Sequence, residues 1–231
     1  MTPAKWPRYL PAGDAALVVE FGDRIDEAIN RRVHLLAHVL AQEPVPGLGE
    51  AVPTYRSLLV HYDPLQLGYG DLVRLVGDRL GRMQDVRLPQ PRLVEVPTLY
   101  GGEYGPDIAF VACHNGMSVA EVIRIHSGVD YPVYMLGFTP GFPYLGGVAA
   151  AIAAPRLETP RPRVPAGSVG IAGQQTGIYP IESPGGWRII GRTPLALFDP
   201  HRDPPALLAA GDRVRFLPIS EAEYEGGSGS H

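Results

Sequence analysis

Three stretches of the chain concentrate residue types that can do chemistry. In the first, Tyr131 to Gly147, the run Gly137-Phe138-Thr139-Pro140-Gly141-Phe142-Pro143-Tyr144 sets aromatic side chains among prolines and glycines. Proline fixes φ and glycine frees it, so such a loop can hold a rigid apolar wall against a small ligand. The same rings would serve equally to plug the end of a barrel. In the second, Thr159 to Pro180, Arg161 and Arg163 lead into Ala166-Gly167-Ser168-Val169-Gly170, with Gln174, Gln175 and Tyr179 following. A guanidinium grips a carboxylate or phosphate through two parallel hydrogen bonds, and glycines let backbone N–H groups approach an anion. That chemistry suits an acidic substrate, although two solvated arginines before a glycine-rich hairpin remain the alternative. In the third, the turn Ser183-Pro184-Gly185-Gly186 precedes a strand carrying Trp187 and Arg192. Neither Ser183 nor Ser168 sits in the Gly-x-Ser-x-Gly setting of an activated serine, because Ala166 takes the first glycine position of the latter.

Other candidates are thinner. Cys113 and His114 are a nucleophile and a base by type, but adjacent side chains usually point apart. His34 and His38 have the i, i+4 spacing of metal ligands without an accompanying glutamate or third ligand, so no metal site is expected. Lys5 is the only lysine, which leaves a Schiff-base, biotin-carrying or phosphate-gripping lysine nowhere else to be. Any bound anion must then meet arginine or backbone N–H groups.

The elements that would position these residues follow from periodicity. Leu17, Val19 and Phe21 alternate along a strand from Asp14 to Phe21. Asp23 can cap a helix in which Ile25, Ile29, Val33, Leu36 and Leu40 face inward and Asp26, Asn30 and Arg31 face water. Short strands are expected at Glu50 to Pro53 and Tyr55 to Tyr62, a helix from about Asp71 to Met83, and a strand at Arg92 to Val96. This βαββαβ order is that of a ferredoxin-like split sheet covered by two helices. Past Pro97 the texture becomes short apolar runs broken by glycine and proline, which predicts a barrel. One helix stands out there, opened by the capping box of Ser118 and Glu121 and stopped at Gly128, with His126 near its end. The expected class is α+β, divided into residues 1–90, 91–220 and a tail 221–231 in which Gly226 to His231 read as linker and the start of a tag.

Composition bounds the rest. Twenty basic against 24 acidic residues give a formal charge of −4, unsuited to gripping nucleic-acid phosphates. No apolar run approaches the roughly 20 residues of a membrane helix, and the opening residues lack the apolar core of a signal peptide, so a cytoplasmic protein is expected. The single cysteine allows no internal disulfide.

Taken together the three stretches, with Gly13-Asp14-Ala15-Ala16-Leu17-Val18-Val19-Glu20-Phe21-Gly22, Tyr55-Arg56-Ser57-Leu58-Leu59-Val60 and Tyr100-Gly101-Gly102-Glu103-Tyr104-Gly105-Pro106-Asp107, resemble one family over nearly the whole chain. It is the family of the 5-oxoprolinase B subunit, the kinase inhibitor KipI and the subunit long called allophanate hydrolase subunit 1. The resemblance implies a ferredoxin-like N-terminal domain, a cyclophilin-like barrel, and work alongside a KipA-like C subunit and an A subunit. It implies ATP-dependent opening of 5-oxoproline to glutamate, with ATP and its Mg held by the complex: no Walker motif is present, so ATP would meet an unfamiliar site or the partner subunits, and no plausible lysine for biotin exists on this chain. A stable lactam must be activated by phosphorylation, and the resulting anion needs preorganised positive partners. By the family motifs, His126 would act as acid/base or hydrogen-bond donor, Arg163 as carboxylate or phosphate clamp, and Gln175 with Tyr179 as orienting groups. Ser183 would line the cleft, Phe138 and Phe142 would wall it, and Trp187 would pack behind. Two other readings follow from the same resemblance: an inhibitor docking on a sensor histidine kinase, and a subunit of a urea carboxylase or allophanate hydrolase system.

Overall fold

Residues 6–227 are described by a computed structural model. The chain divides between Gln90 and Pro91 into two units, each with a core of its own. In the first unit, β1 (Arg8–Pro11), β2 (Ala16–Glu20), β3 (Leu48–Pro53) and β4 (Ser57–Tyr62) form an antiparallel sheet in the order β1-β2-β4-β3, accompanied by α1 (Glu27–Gln42) and α2 (Tyr69–Arg82). Period-two alternation puts Leu17 and Val19 of β2 on the same face as Leu58, Val60 and Tyr62 of β4. Val33, Leu36 and Leu40 of α1 and Leu72 and Val76 of α2 complete this core. Burying each such side chain is worth about 1.5–3 kcal/mol.

Three expectations for this unit are corrected. The α1 cap is Asp26, whose carboxylate accepts from the Ala28 and Ile29 N–H groups, and Ile25 lies outside the helix, half exposed. Asn30 is buried, because its Nδ2 donates to the carbonyls of Thr54 (3.0 Å) and Tyr55 (3.2 Å) and so ties α1 to the β3–β4 turn. The order is ββαββα: β1 takes the sheet edge beside β2, with Arg8 opposite Glu20 and Pro11 opposite Leu17. The strand expected to close that sheet is β5 (Leu93–Tyr100), and it belongs to the second unit.

There, α3 (Ile108–His114), α4 (Val119–Ser127), β6 (Asp130–Leu136), β7 (Pro143–Gly146), β8 (Arg161–Val164), β9 (Ser168–Ala172), β10 (Gln175–Ile178), β11 (Ser183–Gly185), β12 (Arg188–Arg192), β13 (Arg213–Pro218) and α5 (Glu221–Gly227) follow in turn. Strand β5 and six of these strands close a barrel in the order β10-β7-β6-β13-β5-β12-β9, while β11 and β8 pair apart from it as a ribbon. Within the barrel, β5 and β13 run parallel and the other neighbours antiparallel. Val96, Tyr131, Val133, Leu145, Val169, Ile171, Ile190, Val214 and Phe216 fill its interior. The α4 capping box forms between Ser118 and Glu121, and Gly128 ends the helix by donating to the Ile125 carbonyl. Gly105 lets the chain pass against β12, since a Cβ there would lie 2.0 Å from the Ile190 carbonyl oxygen.

Gly226 and Gly227, read above as linker, are the last residues of α5; the remainder of that tail, and Lys5, lie outside the described residues. Among the described residues no single helix is long and apolar enough to cross a membrane, and no group of three or more His, Cys, Asp or Glu is placed to hold a metal ion.

Candidate functional site

The aromatic loop between β6 and β7 is a tight turn closed by its own backbone. Thr139 N–H donates to Gly137 O (2.8 Å), Phe142 N–H to Thr139 O (3.1 Å) and Gly137 N–H to Phe142 O (3.1 Å). Phe138 adopts φ 67, a left-handed conformation that costs a residue with a side chain roughly 1–2 kcal/mol. The closed loop holds it there, and the result is that Phe138 is 61% exposed while Phe142 points inward at 2%.

Phe142 is the hub of a second apolar cluster, separate from the barrel interior, made with Val164, Ala172, Tyr179, Trp187 and Ile189 and flanked by Tyr144. Its ring meets Tyr179 at 5.2 Å and Trp187 at 5.6 Å, both edge to face, and Tyr144 at 5.0 Å. Phe138 meets Phe142 at 5.5 Å and Tyr179 at 6.4 Å in the same geometry. Each such pair is worth about 0.5–1.5 kcal/mol beyond its burial. The structure thus brings together Phe138, Phe142, Tyr179 and Trp187, residues far apart in sequence. Burial raises the Tyr179 phenol above its usual range, opposed by a hydrogen bond from the Trp187 backbone and by the charges of Arg156 and Arg161. Tyr179 packs so closely on β11 that a Cβ at Gly185 would lie 2.4 Å from its Oη.

The β8–β11 ribbon edges this cluster, with Ser183 opposite Val164 and Gly185 opposite Arg161. Arg161 forms a bidentate pair with Asp107 (2.8 Å twice), whose Oδ2 also accepts from the Ile189 N–H at 2.7 Å. Arg163 is likewise bidentate with Glu182, at 3.0 and 2.9 Å, and its side chain is 77% exposed. An Arg163 clamp would therefore have to leave Glu182 before it could take a ligand. The Ser183 Oγ is buried and has no hydrogen-bond partner among the described residues. Gln175 opens β10, where its backbone pairs with Ala172 of the cluster and Gly146.

His126 is placed elsewhere, which corrects its expected position in the cleft. It is wholly buried in the barrel, packed on Phe216 at 4.4 Å and on Tyr131 at 5.4 Å. The Thr176 hydroxyl donates to the Gly170 carbonyl (2.9 Å), so the 2.9 Å contact to His126 Nε2 must be donated by the imidazole. Nδ1 then accepts from the Tyr100 hydroxyl at 2.7 Å. This directed relay, Tyr100 to His126 to Thr176 to Gly170, needs a neutral ring, and burial drives the His126 pKa down to about 3. Without solvent or ligand access, His126 is a structural link between α4, β5 and β10.

Sequence reasoning placed Tyr144 with Phe138 and Phe142 in the aromatic loop but missed Asp107 as a partner of the cluster's edge. Asp107 stood in a quoted run with no signal that Arg161, 54 positions away, would claim it. Cys113 and His114 end α3; Cys113 is exposed and His114 stacks on Phe110.

The pattern of the carboxyltransferase domain, subdomain C and D, matches residues 7–208. The chain belongs to that family. Among relatives of this carboxyltransferase-domain protein, the 5-oxoprolinase B subunit of Bacillus subtilis (strain 168) is 49% identical over 222 residues, which cover 92% of each chain. The protein of the same name from Escherichia coli O157:H7 is 44% identical over 210 residues, 90% of this chain and 94% of that one. The crystal structure of TTHA0988 superposes with a TM-score of 0.78 at 45% identity, covering 89% of this chain and 40% of that longer one. The family thus joins the mixed α/β architecture and closed barrel to a multi-subunit context.

Proposed function

We propose that the chain is a subunit of an ATP-dependent 5-oxoprolinase, a complex that opens 5-oxoproline to L-glutamate, and that it supplies one wall of a site completed by C (KipA-like) and A subunits. The observation that carries this reading is near-full-length identity to chains named as the B subunit of 5-oxoprolinase. The aromatic cluster supports it physically: Phe138 presents an exposed ring, backed by the buried Phe142 and Tyr179, against which a flat, small lactam can pack in the assembled complex. In this reading Tyr179 and Gln175 orient the ligand, Ser183 supplies a hydroxyl, and Arg163 takes an anion on release from Glu182.

ATP belongs to the complex, with its Mg. The cluster itself does not fit a triphosphate: its ring wall is apolar, and Arg161 and Arg163 are each committed to a carboxylate of this chain. No step is assigned to ATP at these residues, and no biotin is assigned to this chain. We read the first unit as ferredoxin-like with its edge strand supplied from the N-terminal side, the barrel as cyclophilin-like, and the setting as cytoplasmic.

Co-expression with the C and A partners, followed by glutamate release from 5-oxoproline with and without ATP, tests the reading. ATP-dependent release that vanishes when this chain is omitted supports it; an assembled, soluble complex releasing no glutamate refutes it. The kinase-inhibitor reading has one observation in its favour, the exposed and rigidly held Phe138, a shape suited to insertion into a partner.

A further inference from the structure

The turn that carries the exposed Phe138 ring rests on a second loop, the segment joining β12 to β13. Gly141 is the point of contact, where a Cβ would lie 3.0 Å from Phe198 Cβ and 3.4 Å from the Leu197 carbonyl oxygen. Leu197 and Leu208 are buried in the barrel core and anchor the two ends of this loop, and between them Phe198 bridges Ala206. Two backbone hydrogen bonds cross it, Leu207 N–H to Leu197 O (2.8 Å) and Asp199 N–H to Pro205 O (2.9 Å). Pro204 and Pro205 have no N–H of their own, so that stretch can be tied down only through its carbonyls. Arg202 supplies donors for them. Its Nε donates to Pro204 O (3.2 Å), its Nη2 to Pro205 O (3.0 Å) and Leu197 O (3.4 Å), and its Nη1 to Ala196 O (3.4 Å). One half-buried guanidinium therefore fastens both limbs of the loop, including the limb that touches Gly141.

We infer that Arg202 is a positioning residue for Phe138: by holding the 197–207 loop against Gly141, it fixes where the aromatic turn presents its exposed ring. The inference rests on the function proposed above only for what the ring is presented to, and on this chain's geometry for the residue. The left-handed conformation of Phe138 is unfavourable and persists only where its surroundings over-determine it. The three backbone hydrogen bonds within the turn set its shape, whereas the Leu197–Phe198 limb beneath Gly141 sets its place on the barrel. A guanidinium suits this task because its planar fork reaches several acceptors while a single side chain is ordered; an ammonium in the same place is a point charge without that fork. Ala196 O and Pro204 O lie on opposite limbs, and Arg202 joins them.

Amide hydrogen exchange on the full chain reads this positioning directly. Arg202→Met, which keeps an unbranched apolar stem and removes the donors, should speed exchange at the Gly137, Thr139 and Phe142 amides by roughly tenfold to a hundredfold, the worth of the charge-assisted hydrogen bonds removed. Amides of β5 and β13 should exchange as in the parent. Arg202→Lys should speed the same turn amides by less, and it carries the comparison if Arg202→Met does not fold. Unchanged exchange in the turn overturns the inference, and so does an acceleration spread evenly over the barrel, which marks a residue that only stabilises the fold. In the assembled complex, Arg202→Met should raise the KM for 5-oxoproline with little change in kcat, and should add nothing when Phe138 is already alanine. Equal increments with and without Phe138→Ala overturn the inference while leaving the proposed function standing. A complex that releases no glutamate even with the parent chain refutes that function, and the exchange measurement still reads Arg202.

Discussion

Replacing His126 by Gln should abolish a specific dependence of barrel stability on pH. In the folded chain His126 stays neutral down to about pH 3, whereas in the unfolded chain it takes a proton near its ordinary value of 6.5. Between those two values the unfolded state binds more protons than the folded state, so stability falls as pH falls, with a limiting slope of about 1.4 kcal/mol per pH unit. Above about pH 7.5 the contribution is negligible, and by about pH 5 it amounts to a loss of about 2 kcal/mol. The glutamine amide does not titrate, and the other histidines are common to both proteins. Trp6 and Trp187 are the two tryptophans, so urea unfolding followed by emission in a Trp6→Phe background, where Trp187 alone reports, gives the comparison for the barrel unit. The parent should lose about 2 kcal/mol more than the variant between those two pH values. The variant should also start from a lower stability, because the relay from Tyr100 to Thr176 is interrupted. Equal pH dependence in the two proteins would refute the reasoning and make a neutral-pH acid/base role for His126 physically admissible again. Imidazole 15N shifts offer a direct check, with Nε2 protonated and Nδ1 bare across the neutral range.

Asp107→Ala should destabilise the barrel unit by about 3 kcal/mol in urea unfolding, because it leaves the Ile189 N–H and the Arg161 fork without their acceptor. Adding Arg161→Met should cost less than the sum of the two single changes. Gly185→Ala should push Tyr179 off the ribbon and cost about 1–3 kcal/mol, with a shift in Trp187 emission as the local signature. Arg163→Ala should leave the melting temperature unchanged, since its pair with Glu182 is open to solvent. Glutamate release by the assembled complex then decides whether Arg163 acts as a clamp, and undiminished release would remove that role.

How much of this was legible in the sequence depended on the range of the interaction. The α4 capping box is local, three residues across, and was readable in full. The α1 periodicity was readable too, but Asp23 and Asp26 are equally good caps by type, and only the observed N–H contacts choose between them. Asn30 read as a surface residue because its partners, the carbonyls of Thr54 and Tyr55, are brought to it by the sheet. Strand β1 was hidden: four residues ending in Pro11 carry little alternation, and proline is tolerated there because the strand is an edge. Within the candidate site, the aromatic residues were evident from composition, yet which ring faces solvent follows from the left-handed turn at Phe138. The pairings of Arg161 and Arg163 join residues 54 and 19 positions apart, and nothing local announces them.

The parallel pairing of β5 with β13 sets a timetable for the ribosome. Strand β5 is the first of the barrel to be synthesised, but both its neighbours, β12 and β13, are made late, with Leu93 waiting for Arg213. Until then β5 travels with two open edges, while the sheet of the first unit can already close on strands and helices made before Gln90. The nascent chain should therefore gain its first protease-resistant fragment early and its second only when almost all of the described residues have emerged. Changes that slow elongation after β12 would then expose the unpaired β5 for longer and raise the risk of misassociation without altering any contact in the finished protein.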